Sequence, residues 1–458
     1  MTPITATLAQ WISGIQRDHI PDDVRVTLRL LAMDTFACAL AGRTQPWTQA
    51  IRSWALASEP KQQPAHIWGE PASALRASDA ALVNGAAVHA FELDDFHNAK
   101  VHLGAVVVPA VFALAEAIGS APDRIEAAIA VGYEVMIRSS LALKPAQTRL
   151  RGWHLTAVCG PLGAAAAASV LLGLDSERTS WALGLAGTQS GGLFAFTADG
   201  TDSKRFHPGR AAQSGIMAGE LAALGLSGPT QIFEAQDGGF LNAFSDSPQA
   251  NLLIDGLGDR WHAPETNFKP YACCGSVHPH VDAALKLRNR WTRGARVRVG
   301  MPNVVIVQCG YDYRPGSSLN AQMSGRYSIA VALLDGAVLP EQFEDARMQG
   351  EDVVALATQL ELVHDTHLDS LYPAHFCGWV EVQSEDGSWI RETILDPSGS
   401  AANPSRAQAI VSKTEKLLVP LLGDVATANL RNAFENLGET DLSILLKYGS
   451  VPDYSLQS

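Results

Sequence analysis

At 458 residues the chain is too long for one ordinary hydrophobic core, and its 47% hydrophobic, 18% charged composition is that of a folded globular protein. A formal net charge of −13 argues against a nucleic-acid partner, which needs a basic face, and makes any local cluster of Lys, Arg and His informative. The six cysteines show no C-x-x-C or other metal-type spacing, and no basic stretch followed by an apolar core opens the chain, so reduced thiols in a cytoplasmic protein are expected.

Up to about residue 265, apolar residues recur at three- and four-residue spacing over residues 24–41, 78–89, 105–118, 125–139 and 211–224, which predicts helices. No alternating run in this region is long enough to demand a strand. Residues 155–174 are uncharged but mostly Ala, Gly and other small residues. They read as a buried helix that lets its neighbours approach closely, and not as a membrane span. Asp175-Ser176 can cap the helix containing residues 181–185, and Ser227-Gly228-Pro229 separates two helical stretches.

The character changes near Phe268. Residues 296–299 and 303–307 are rich in β-branched side chains and read as strands, while residues 379–382 and 389–394 flank Asp386-Gly387 as a β-hairpin. Helical patterns at residues 278–288, 325–335 and 340–347 are interleaved with these, and residues 407–418 and 424–436 are helical again. The expected fold class is mainly α with an α+β insertion. The first part of a helical domain spans residues 1–267, a smaller α/β domain spans 268–400, and C-terminal helices (401–458) return to the first domain.

Four segments carry chemistry. Between Glu92 and His102, three carboxylates (Glu92, Asp94, Asp95) and two histidines (His97, His102) lie within eleven residues. Carboxylates raise a neighbouring histidine's pKa and orient its ring, which suits a general acid or base; the bland alternative is a solvated loop. His154 stands at the entrance of the alanine-rich helix, where exposed amides favour anions. Lys204, Arg205, His207 and Arg210 precede a helix expected to begin near residue 211, a credible carboxylate site or else a basic surface turn. At the domain junction, Lys269 could clamp a carboxylate beside Tyr271, Cys273, Cys274 and His278. His278-Pro279-His280 lacks an obvious third ligand, so no metal is expected.

Together these segments resemble the MmgE/PrpD family, which includes 2-methylcitrate dehydratase, cis-aconitate decarboxylase and iminodisuccinate epimerase. The likeness spans nearly the whole chain. It rests on Asp94-Asp95 with His102, on Gly152-Trp153-His154, on Lys204-Arg205 with His207-Pro208-Gly209-Arg210, on Lys269-Pro270-Tyr271 with Cys274 and His278-Pro279, and on Leu333-Leu334-Asp335-Gly336. The resemblance implies a large helical domain with a smaller α/β lid, a homodimer, no metal or organic cofactor, and a small polycarboxylate substrate. It places His102, His154, Lys204 and Lys269 as catalytic residues. Glu92, Asp94, Arg205, His207, Arg210, Tyr271 and His278 would bind substrate, with Glu92 where the decarboxylase branch has an acidic residue.

Chemistry next to a carboxylate is hard because the carbon acid is weak, so the pocket must stabilise developing negative charge. The dehydratase and decarboxylase branches are expected to carry Thr after the Asp-Asp pair and Pro-Ser after the histidine. Here Phe96, Leu103 and Gly104 occupy those positions. That shifts the expectation toward a proton-transfer-only reaction, epimerisation, with two bases drawn from His102, His154, Lys204 and Lys269, and Tyr133 or Tyr271 in reserve. A hydro-lyase, a cis-aconitate-type decarboxylase and a non-catalytic binding protein are the alternatives.

Overall fold

The computed structural model describes residues 3–57, 64–198, 200–371 and 374–451. Its larger part is a stack of helices: α1 (Asp22–Gly42), α2 (Ala77–Val88), α3 (Gly104–Ile118), α4 (Pro122–Ala142), α5 (Leu155–Leu172) and α6 (Ser203–Ala223). The alanine-rich α5 is the axis of this stack, packed on α3, α4 and α6. Its composition is dictated by that position. A Cβ on Gly163 would lie 2.8 Å from the Gly132 carbonyl oxygen of α4, and one on Gly209 of α6 would lie 2.1 Å from the Leu82 carbonyl oxygen of α2. Backbones this close leave no room for larger side chains. The helix is long and apolar enough to cross a membrane, but 94% of it is buried among the other helices. It is a core helix.

Two elements of this region differ from the sequence expectation. A short antiparallel hairpin, β1 (Ala65–Ile67) and β2 (Glu70–Leu75), lies between helices where no strand was expected, too short to show a clear alternation. Helix α6 starts at Ser203, eight residues before the expected Ala211. Pro208 and Gly209 look like a helix boundary, yet they sit inside α6: Pro208 lacks one amide donor, and Gly209 is required by the contact with α2. The basic residues 204–210 therefore ride on the helix and do not precede it.

The smaller part contains a four-stranded sheet, ordered β4-β3-β5-β6, formed by β3 (Val297–Met301), β4 (Glu361–His364), β5 (Gly378–Gln383) and β6 (Trp389–Ile394). The β5/β6 hairpin pairs in register from Gly378 with Ile394 to Gln383 with Trp389, and Gly387 takes the left-handed φ of 84° that its turn requires. Edge strand β4 runs parallel to β3 and was not foreseen; none of its residues is fully buried, so it has no hydrophobic signature. Helices α7 (His278–Leu287) and α9 (Gly325–Asp335) form as expected, with α8 (Asn303–Cys309) between them in the chain. α8 corrects the strand expected at residues 303–307. Pro302 opens a helix there, and Val305 and Cys309, four residues apart, are buried while Val304 and Val307 face outward. Residues 340–347 likewise form no single helix: a 3-10 turn (Pro340–Phe343) and a short helix (Asp345–Met348) are separated by extended Glu344.

The chain returns through α10 (Arg406–Leu422) and α11 (Asp424–Glu435), which both pack on α1. We retain the division 1–267, 268–400 and 401–458 as a proposal that this packing supports; residues 452–458 lie outside the described residues. Gly209→Ala is expected to force α2 and α6 apart, destabilising the fold by about 1–3 kcal/mol. Calorimetric melting tests this: an unchanged Tm would mean that the helices do not meet at this glycine.

Candidate active site

The loop after α2 carries the first group of side chains. His89–Phe91 form a 3-10 turn, and Glu92 follows with φ 54°, a left-handed conformation that costs a non-glycine residue about 1–3 kcal/mol. Phe96 and Asn267 then exchange backbone hydrogen bonds of 2.9 and 2.8 Å, stitching this loop to the segment that leads into Lys269. The first turn of α6 supplies Lys204 from the other side.

These three approaches meet on one carboxylate. The Lys269 ammonium donates to Glu92 Oε2 at 2.9 Å, and the Lys204 ammonium donates to Oε1. All three side chains are buried. Burial, reinforced by the Lys269 charge, pushes the Lys204 pKa well below that of an ordinary lysine. Cys274 belongs to the same neighbourhood: a hydrogen bond from Cys309, against the cost of burial and with help from the Lys269 charge, brings its thiol down to about 5.

Beside this triad lies a line of imidazoles. Asp94 Oδ2 is 2.8 Å from His89 Nδ1 and 3.2 Å from His102 Nδ1. Burial opposes ionisation of Asp94, but the two histidines together outweigh it and hold the carboxyl well below its usual range. His102 Nδ1 is also 3.0 Å from the Asp95 carbonyl oxygen, so its ring orientation is fixed from two directions. The His89 ring meets that of His102 at 4.6 Å and that of His154 at 6.4 Å. His154, at the start of α5, shares a 2.8 Å hydrogen bond with His207, Nδ1 to Nδ1, so one ring donates and the other accepts. Burial pushes His154 well down and His207 to about 4, and nearby cationic groups add to both shifts. His207 and Arg210 reach a small open cleft, lined also by Ala157, Gln189, Gly191 and Ser214.

Behind the imidazoles, Asp95 accepts from the Tyr133 hydroxyl at 2.7 Å and the Gly104 amide at 2.8 Å. Burial raises its pKa to about 7 even against these two bonds.

The remaining candidates are engaged elsewhere. Arg205 is fully buried, with its guanidinium 4.0 Å over the Trp47 ring and donating to Ala90 O and Gln322 Oε1 at 3.0 and 3.2 Å. This braces the loop against the α/β part. Exposed Arg210 donates to Gln213 Oε1 at 2.7 Å. Tyr271 donates to Asp282 at 2.5 Å and packs on His278 with ring centroids 5.3 Å apart. Burial, with the Lys269 charge beside it, lowers His278 to about 3.

Sequence reasoning missed His89, which closes an apolar helical pattern and carries no motif of its own. Among the described residues, His89, Asp94 and His102 place potential metal-ligand atoms within 4.8 Å of one another. A cation there would compete with both imidazoles for the Asp94 oxygen they already share.

The MmgE/PrpD N-terminal domain matches residues 6–253, and the MmgE/PrpD C-terminal domain matches residues 271–439. The chain belongs to the MmgE/PrpD family. A protein named cis-aconitate decarboxylase from Aspergillus terreus is 32% identical, covering 98% of this chain and 96% of its own. Proteins of the same name from Homo sapiens and Mus musculus are 27% and 26% identical; they cover 99% and 98% of this chain and 97% and 94% of their own.

The Asp95 carboxyl supplies a pH test. A group whose folded pKa, about 7, lies above its unfolded value binds more protons in the folded state between the two. Its stabilising contribution is therefore complete below about pH 4 and is lost as pH rises toward neutrality. The unfolding free energy of the wild type relative to Asp95→Asn should fall from pH 4 to pH 7 in denaturant titrations; a flat or rising difference overturns the assignment.

Proposed function

We propose that the chain is a lyase that decarboxylates cis-aconitate or a close unsaturated tricarboxylate, and not the epimerase expected from Phe96 and Leu103. The observation that carries this reading is the buried Lys204, Glu92, Lys269 triad beside the His102–Asp94–His89 group. Matches over nearly the full length of relatives named cis-aconitate decarboxylase add to it. The three replaced positions weigh less once their surroundings are known; a Cβ on Gly104 would lie 2.1 Å from Thr35 Oγ1, which leaves no room for a serine there. Leu103 is fully buried where α3 begins, and the Phe96 ring packs on Phe376 and stands against Gly275. Leu103 therefore says little about the pocket, while half-buried Phe96, its ring 5.9 Å from the Lys269 ammonium, borders it with an apolar face.

In the proposed reaction two substrate carboxylates engage Lys204 and Lys269. The carboxylate on the saturated arm is left without a cation, which favours its loss. The bond from that arm to its carboxylate breaks and CO2 leaves. The electron pair forms a new C=C bond, the former double-bond pair takes a proton at the once vinylic carbon, and one proton is consumed per CO2. Charge developing on the carbon next to a carboxylate is stabilised by the buried ammonium groups, where electrostatic interactions are strong. His102, oriented by Asp94 and the Asp95 carbonyl, is the proposed proton donor, with His89 sharing the Asp94 oxygen. His154 and His207 would extend the pocket, and the homodimer remains a proposal carried by the family.

In deuterated water, cis-aconitate should yield CO2 and a methylidene dicarboxylate with one deuterium at the former vinylic carbon, followed by NMR. Deuterium uptake with racemisation of a saturated dicarboxylate and no CO2 would return the reading to an epimerase. Lys204→Met, Lys269→Met and His102→Asn should each lower kcat/KM for cis-aconitate by about 100-fold or more. Variants equal to the wild type would remove these residues from the site.

A further inference from the structure

Lys413 lies on α10, far in sequence from every segment that forms the site, yet it is buried at the back of it. Its ammonium meets Asp34 Oδ1 at 2.7 Å, Asp34 Oδ2 at 2.9 Å and the Leu93 carbonyl oxygen at 2.5 Å. Two of its N–H groups donate, one to Asp34 Oδ2 and one to the Leu93 carbonyl, while Asp34 Oδ1 is close enough for ion pairing only. The ammonium also stands 5.4 Å over the Phe268 ring. Leu93 is the residue between Glu92 and Asp94, and Phe268 is the residue before Lys269.

We propose that Lys413 is a positioning residue of the active site, fixing from the C-terminal helix the backbone that carries Glu92, Asp94 and Lys269. An ion pair with Asp34 alone would join α10 to α1 without touching the loop. The bond to Leu93 O is what reaches the site. It falls next to Glu92, whose left-handed backbone persists only where its surroundings over-determine it. Released from Lys413, the loop can relax, and the Glu92 and Asp94 carboxylates then lose register with Lys269 and His102. Misplacement by about 1 Å can cost on the order of 100-fold in rate. The expected effect on turnover rests on the decarboxylase reading; the geometry of the loop does not.

Two variants separate positioning from charge compensation. Lys413→Met leaves Asp34 buried and unpaired and should lower both Tm and kcat. The double variant Asp34→Asn/Lys413→Met removes the stranded charge, so Tm should recover. The Leu93 carbonyl then keeps only the weak thiol donor of Cys38 at 3.6 Å, so kcat on cis-aconitate should stay at least about 10-fold down with KM little changed. If the double variant regains both Tm and kcat, Lys413 does no more than neutralise Asp34 and the proposal is overturned. The 15N resonances of the His89 and His102 rings, recorded without substrate, give a second readout. Shifted resonances in the double variant with a wild type inactive on cis-aconitate support the positioning and overturn the reaction. An active wild type with an equally active double variant and unmoved resonances overturns the positioning and leaves the reaction standing.

Discussion

A carboxylate held between two buried ammonium groups organises this molecule. Glu92 is joined to Lys204 and Lys269, which stand 112 and 177 residues further along the chain. None of the three could be buried alone. Removing one partner of a buried pair typically costs about 3–5 kcal/mol, because a charge is then stranded without water. The loop, the first turn of α6 and the domain junction are thus bound to one another by charge balance. In the proposed reaction the substrate carboxylates would compete with Glu92 for these two cations, in a protein whose overall charge is −13.

The scaffold around this triad works by close approach. Glycine and alanine on α4, α5 and α6 bring backbones near enough for Lys204 on α6, His154 at the start of α5 and the loop after α2 to share one volume. Four imidazoles then lie in a row from His102 to His207. Burial depresses the basicity of His89, His154 and His207. His102 stands directly beside the Asp94 carboxylate, which is held in its charged form.

Phe96 and Leu103 illustrate what residue identity does and does not decide. As letters in a motif Phe96 and Gly104 replace hydroxyl-bearing residues and Leu103 a proline, and the inference to proton transfer without a leaving group follows from that. In the fold, Leu103 is core and Phe96 packs on another ring, so their change of chemistry is first a change of packing. The relatives named cis-aconitate decarboxylase point the same way. A substitution next to a catalytic histidine carries information about the reaction only when its side chain faces the substrate.

The sequence by itself determined the family and the mainly helical class with its sheet-bearing insertion, and it singled out Lys204, Lys269, His102 and His154 as candidates. These are written in periodicity, turn residues and ordered local motifs, which survive without knowledge of contacts. It misplaced what depends on partners. Residues 303–307 have strand propensity but a helical pattern of burial, the start of α6 hides behind Pro208 and Gly209, and β4 is an edge strand without an apolar face. Only the tertiary structure decided that Glu92 joins the two lysines, that His89 shares Asp94 with His102, and that Lys413 grips Leu93 from the far end of the chain. Each is a contact between residues whose separation along the chain, or whose ordinary local setting, gives no sign of the other. Burial then turns such contacts from weak surface pairings into constraints, because a buried charge must find its partner.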